Sequence, residues 1–171
     1  MPTMNNILIT SAGERVVLVE IFQRTAKEMG IDAKVYTCNM QPSLAPACRV
    51  SDGNFMALRY SSEDYMQVLQ SICLGNHVKV IIPTTERELP ILSANRDIFA
   101  KLGIHILTPD YEFVMSCLDN HQYNDYLENI GIDITTAGDI VNYETLVDKY
   151  FAKADFVVCV MKTHLLGGFV V

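Results

Sequence analysis

The sequence is short of basic charge. Its 13 Lys and Arg stand against 20 Asp and Glu, a formal net charge of −7. A protein that grips a phosphate backbone needs a net basic face, so nucleic acid is not an expected partner. Paired cysteines are missing too. Cys38, Cys48, Cys73, Cys117 and Cys159 are scattered, none forms a CxxC, and none of the four histidines lies close to the nearest pair, Cys38 and Cys48. An odd, dispersed set fits reduced, buried thiols better than disulfides or a zinc site. No HxxxH or HExxH occurs, which removes the common metal-ligand spacings and leaves no expected metal site. No G-x-S-x-G occurs, so a hydrolase elbow is unsupported. No apolar run reaches the ~18 residues of a membrane span, and no signal-like segment precedes Ile7. A soluble, cytoplasmic protein with no membrane partner is the expectation.

What is present is apolar material for a core, at 50% of the 171 residues. The chain alternates strand-like and helix-like segments. NILIT (6–10) reads as a strand, and residues 15–29 as a helix carrying Leu18, Phe22, Ala26 and Met29 on one stripe and stopped by Gly30. DAKVYTCN (32–39) is a second strand, followed by the Pro-punctuated loop MQPSLAPAC, and NFMALRY (54–60) is a third strand. SSEDYMQVLQSICLGN (61–76) puts Tyr65, Val68, Leu69 and Ile72 on one helical face, with Ser61 or Ser62 as its cap. VKVIIPT (78–84) is a buried strand, ERELPILSANRDIFAKLG (86–103) one helix and IHILT (104–108) a fifth strand. Thr108 and Pro109 read as the cap and first position of the next helix. Strands alternating with helices of this length give parallel βαβ units. The expected fold is α/β, a Rossmann-like open parallel sheet with helices on both faces, followed by an incomplete α+β segment.

Two loops carry candidate chemistry. The first, TSAGER (10–15), joins the first strand to its helix. In an open parallel sheet ligands sit beyond the carboxyl ends of the strands, near the reversal of strand order. Ser11, Ala12 and Gly13 let a backbone approach, Glu14 and Arg15 follow at a helix N-terminus, and Arg15 offers a fork to a carboxylate or phosphate. The dinucleotide pattern G-x-G-x-x-G is absent. The plainer reading is a tight turn, with Glu14 favouring the helix dipole and Arg15 solvated. The second loop, PTTERE (83–88), gathers two threonines and two carboxylates, Thr84, Thr85, Glu86 and Glu88, at the same sheet edge, suited to a polar small molecule or an ammonium group, with Thr84, Thr85 and Glu86 as its candidate site residues. Its plainer reading is a helix start capped by Thr84 or Thr85. In the tail, VVCVMKTHLLGG ends a strand in Lys162 before a glycine pair, without Walker A spacing.

Taken together, these segments resemble the start of an ATP-grasp protein of the group that includes the carbamoyl-phosphate synthase large subunit. ILITSAGERVVLVEIF resembles the first strand and helix of the pre-ATP-grasp domain, and VIIPTTERELPILSANRDIFAKLGIHIL its fourth to fifth strands. LDNHQYNDYLENIGI is similar to the helix leading into the ATP-grasp domain. The resemblance implies a pre-ATP-grasp domain over 1–118, a linking helix over 119–134 and the truncated start of the nucleotide domain over 135–171. It implies an ATP-dependent carboxylate–amine ligase working through an acyl-phosphate, with ATP and Mg2+ as cofactors of the full-length protein. It also implies a substrate pocket lined by Ser11, Ala12, Gly13, Glu14, Arg15, Thr84, Thr85 and Glu86, and an ATP contact at Lys162. A lysine common after the aspartate of the linking helix is Asn120 here, and the usual proline after Lys162 is Thr163. The magnesium-binding residues of such proteins lie past Val171, so the chain by itself is expected neither to hold ATP tightly nor to catalyse ligation. An exposed apolar DFVVCVM (155–161) would favour homo-oligomers through the C-terminal segment. Two alternatives stay open: a stand-alone, non-enzymatic α/β module binding a metabolite or a partner chain, and, more remotely, a dinucleotide oxidoreductase.

Overall fold

The computed structural model describes residues 5–118. The chain divides between Tyr126 and Leu127 into two units, and the described residues all belong to the first. Lys162, Asn120, the linking segment 119–134 and the segment 135–171 lie outside them.

Five parallel strands form one sheet in the order β3-β2-β1-β4-β5, with β1 Asn6–Thr10, β2 Val35–Asn39, β3 Gly53–Met56, β4 Val78–Pro83 and β5 His105–Ile106. The helices are α1 Val16–Glu28, α2 Pro46–Val50, α3 Tyr65–Gly75, α4 Leu89–Ala94, α5 Arg96–Lys101 and α6 Tyr111–Leu118. This is the α/β, Rossmann-like open sheet that the alternation of segments implies. From β1 the chain builds outward through β2 to β3, then returns to the other side of β1 for β4 and β5.

The period of two along a strand divides the core into two layers. Leu8 of β1 and its partner Ile81 of β4 face one side, where they meet Tyr65, Leu69 and Cys73 of α3, Leu92 of α4 and Phe99 of α5. Ile9 and its partner Ile82 face the other side and pack with Val19 of α1 and Ala47 of α2. Both central strands are covered on both faces, which is why they read as unbroken apolar runs. Asn6 opens β1 with a polar side chain only 2% exposed. Its Nδ2 donates to the Asn76 carbonyl at 2.8 Å, and its Oδ1 accepts from the Lys34 N–H at 2.9 Å. One side-chain amide thus ties β1 to the turns that lead into β2 and β4.

Several local expectations are corrected. Of the expected stripe of α1, Ala26 is buried and Leu18 and Phe22 pack on the core beside fully buried Val19, but Met29 is exposed. The loop after β2 holds a 3-10 turn, Pro42–Leu44, and the short helix α2. No serine caps α3; it begins after Asp64. The single helix expected over 86–103 is a 3-10 turn, Glu86–Glu88, followed by α4 and α5. The break falls at Asn95, whose Nδ2 donates to the Ile91 carbonyl at 2.8 Å and competes with the helical ladder. Pro90 sits in the first turn of α4, where its missing N–H costs nothing. Asp110 rather than Thr108 caps α6, its Oδ1 accepting from the Phe113 N–H at 2.8 Å.

Candidate functional site

Strands β1 and β4 are neighbours at the centre of the sheet, and the connections leaving them run to opposite sides. Their carboxyl ends, paired at Thr10 and Pro83, therefore mark the reversal of strand order, the place beyond which open α/β sheets bind their ligands in a crevice. The two loops singled out in the sequence meet there. Thr84 bridges them: its hydroxyl faces the Thr10 carbonyl at 2.8 Å and the Ser11 carbonyl at 2.9 Å. That donor is spent inside the protein.

The loop after β1 is built from backbone. Ser11 and Gly13 both hold left-handed conformations, with φ of 48° and 47°. Glycine adopts that region freely, whereas serine does so at a cost of about 1–2 kcal/mol. Ala12 is fully buried in the core layer of Ile9 and Val19, so only its backbone belongs to the loop. Its N–H donates to the Cys38 carbonyl at 3.2 Å, and its carbonyl accepts from the Arg15 N–H at 2.8 Å. The Gly13 carbonyl accepts from the Ala47 N–H at 3.1 Å. The N–H groups of Gly13 and Glu14 find no acceptor among the described residues. Glu14, Arg15 and Glu86 are exposed, while Ser11, Gly13, Thr84 and Thr85 are half-buried. The loop thus presents two free backbone donors and a solvated guanidinium at the start of α1, a helix with no acidic residue in its first turn and no side-chain cap. That arrangement can accept an anionic group.

The second carboxylate of PTTERE turns inward rather than toward a ligand. Glu88 is 2% exposed, and its carboxylate takes hydroxyl donors from the first two residues of the first loop. Thr10 Oγ1 donates to Oε2 at 2.6 Å, and Ser11 Oγ donates to Oε1. The tight 3-10 turn leaves Glu86 and Arg87 outside and turns Glu88 in. A signal for this does exist in the sequence: Glu88 lies four residues before Leu92, on the inward stripe that continues to Phe99.

The carboxylate marks its surroundings. Burial, and then the charge of Glu88, push the Cys38 thiol and the Tyr65 phenol far up from their ordinary values. The Tyr65 hydroxyl is buried against it without a hydrogen bond of ordinary geometry. Cys73, in the same layer, is pushed up to about 12 by burial alone. Among the described residues no three of His, Cys, Asp and Glu gather to hold a metal ion. Among the same residues no helix is long and apolar enough to cross a membrane.

Comparison with known proteins decides the family. The model of the PylC-like, N-terminal domain matches residues 7–107, more than half of the chain. The chain belongs to this family. It is a pre-ATP-grasp domain of the kind that the segments around TSAGER and PTTERE resemble. No curated protein matches the chain. Among solved structures, it is similar to the biotin carboxylase domain of a single-chain bacterial carboxylase, at 14% identity and a TM-score of 0.57 over 87% of this chain and 34% of that one. It is also similar to a biotin carboxylase from Campylobacter jejuni (21%, TM-score 0.54, 75% of this chain and 28% of that). A third match is the urea carboxylase of Kluyveromyces lactis (17%, TM-score 0.56, 79% and 12%). At such identities the likeness is one of fold. The chain spans about a third or less of the length of these proteins. The first two are named as biotin carboxylases and the third as a urea carboxylase, and none of the three is named as a carbamoyl-phosphate synthase.

Proposed function

We infer that this PylC-like domain is the N-terminal part of an ATP-dependent, carbon–nitrogen-bond-forming ligase, and that it supplies one wall of the substrate cleft. The observation that carries this reading is the family match over 7–107 combined with the meeting of the two loops at the β1–β4 crevice. In this reading Gly13, Glu14 and Arg15 take an anionic group of a small-molecule substrate through two N–H donors and a guanidinium. Ser11, Thr84 and Thr85 form the floor, and exposed Glu86 stands at the rim for a cationic group. Ala12 acts through its position in the turn alone. ATP and Mg2+ are the cofactors of the full-length ligase, and Lys162 is its expected ATP contact. A carbamoyl-phosphate-synthase-like chemistry rests on the residue order of PTTERELP, and a carboxylase-like one on the backbone similarity. The net charge of −7 supports a small-molecule partner over nucleic acid.

A second reading is a stand-alone, non-enzymatic module that binds a metabolite. The self-contained core of residues 5–118, closed on both faces of the sheet, favours it. One experiment addresses the pocket common to both readings. The 15N-labelled chain is titrated with small carboxylates, amino acids and inorganic phosphate. Shifts are expected to gather at residues 11–15 and 84–86 and to vanish in an Arg15→Ala/Glu86→Ala double variant. Binding that survives the double substitution sinks the pocket. Repeating the titration with ATP and Mg2+ on the full-length protein that carries this domain separates the readings, since coupling between nucleotide and the second ligand belongs to the ligase alone.

A further inference from the structure

A buried carboxylate is an expensive way to fill space. Glu88 lies at the edge of an apolar layer among Cys38, Tyr65 and Leu92, where a leucine or methionine would pack without losing hydration. Its carboxylate is held by the side chains of Thr10 and Ser11, 78 and 77 residues earlier in the chain. Both hydroxyls donate to it, and donors to a carboxylate make roughly twice the bond of neutral pairs. Thr84, four residues before Glu88, holds the carbonyls of the same two residues. The β4 side therefore grips residues 10 and 11 by side chain and by backbone together. Ser11 is the non-glycine residue in a left-handed conformation at which the loop turns, two residues before the free N–H of Gly13.

We propose that Glu88 is a positioning residue, which acts through Thr10 and Ser11 to hold the left-handed turn that aims the Gly13 and Glu14 N–H groups into the crevice. Without the carboxylate, Ser11 relaxes toward the right-handed or extended regions, and the direction of the next two peptide planes changes with it. The neighbouring hydrogen bonds report that change: Ala12 N–H to the Cys38 carbonyl, Arg15 N–H to the Ala12 carbonyl and Ala47 N–H to the Gly13 carbonyl. The purpose given to those N–H groups rests on the anion-accepting site proposed above. The mechanical role does not.

The test uses the full chain, with Glu88→Gln as the variant, because glutamine keeps the shape but offers one acceptor oxygen where two are used. Amide hydrogen exchange is expected to rise by about tenfold or more at Ala12, Arg15 and Ala47, with Val35 and Val80 of the sheet unchanged. A second substitution, Ser11→Gly, is expected to restore slow exchange in the Glu88→Gln background, because glycine holds the left-handed turn unaided. A merely structural glutamate would not be rescued in this way. Unchanged loop amides, equal loss of protection across the sheet, or failure of the rescue would each overturn the proposal. Should Glu88→Gln not fold, Ser11→Ala removes one arm of the brace, and unaltered protection at Ala12 and Arg15 there overturns it equally. Inorganic phosphate is the probe for the site itself. In the unsubstituted chain it is expected to shift the Gly13 and Glu14 amides, about tenfold more weakly in Glu88→Gln. If phosphate moves nothing in the unsubstituted chain while the exchange pattern and its rescue hold, the anion site fails and the positioning role stands.

Discussion

Thr84→Val isolates the brace between the two loops. Valine has nearly the shape of threonine, so what is lost is the hydroxyl. That hydroxyl has one hydrogen and faces two carbonyls, those of Thr10 and Ser11, at 2.8 and 2.9 Å. A single shared proton makes one hydrogen bond rather than two, with a net contribution of about 1 kcal/mol. The carbonyl left behind adds to this, because Thr10 is fully buried and its oxygen gains little from water. The expected loss is about 1–2 kcal/mol, which for a domain of this size lowers the melting temperature by about 3–6 °C. Circular dichroism melts of the parent, Thr84→Val and Thr84→Ser give the answer, since serine keeps the donor and drops a methyl group. Serine is expected to fall well short of half the valine effect. A Thr84→Val protein that melts with the parent, or a serine variant as damaged as the valine one, would refute the brace.

Three further outcomes follow from the same geometry. Stability is expected to fall as pH rises above 9. The Cys73 thiol, ordinarily near 9.0 and held up to about 12 in the fold, is protonated in both states at lower pH, whereas only the unfolded chain releases its proton above 9. At pH 10 this alone costs about 1.4 kcal/mol, with Cys38 and Tyr65 acting in the same direction; urea titrations at pH 8 and pH 10 measure it, and equal midpoints would contradict it. Gly13→Ala is expected to cost about 1 kcal/mol through its φ of 47° rather than by collision, because the added Cβ meets only the Ser11 carbonyl at 3.5 Å; a thermal melt within about 1 °C of the parent would show that the loop turns differently. Leu8→Ala, in the middle of the central strand and fully buried, is expected to remove about 2–5 kcal/mol, read as a lowered urea midpoint at unchanged slope.

The order of elements was open to a reader of the sequence because each depends on local pattern. VKVIIP is apolar and β-branched over a strand's length, and the segment after Val16 repeats its apolar residues at helical steps. The internal breaks were not legible. Asn95 splits α4 from α5 by turning its side-chain amide back onto the Ile91 carbonyl, a competition that periodicity does not register. Asp110 takes the cap from Thr108 because its carboxylate, not the threonine hydroxyl, receives the Phe113 N–H.

The site divides in the same way. The sequence by itself determined that two small, polar loops follow apolar strands, and that such loops gather at the carboxyl edge of a parallel sheet, because strand direction and right-handed crossovers leave few other arrangements. Only the tertiary structure decided which side chains serve the crevice and which serve the fold. Ala12 goes to the core, the Thr84 hydroxyl is consumed by backbone, Glu86 stays in water, and Glu88, two residues further on, goes inside to hold Thr10 and Ser11. The physical reason is the pitch of one short turn. A 3-10 turn over 86–88 sets which of two glutamates points inward, and that pitch is fixed by packing α4 against the sheet, through contacts that no stretch of sequence contains on its own.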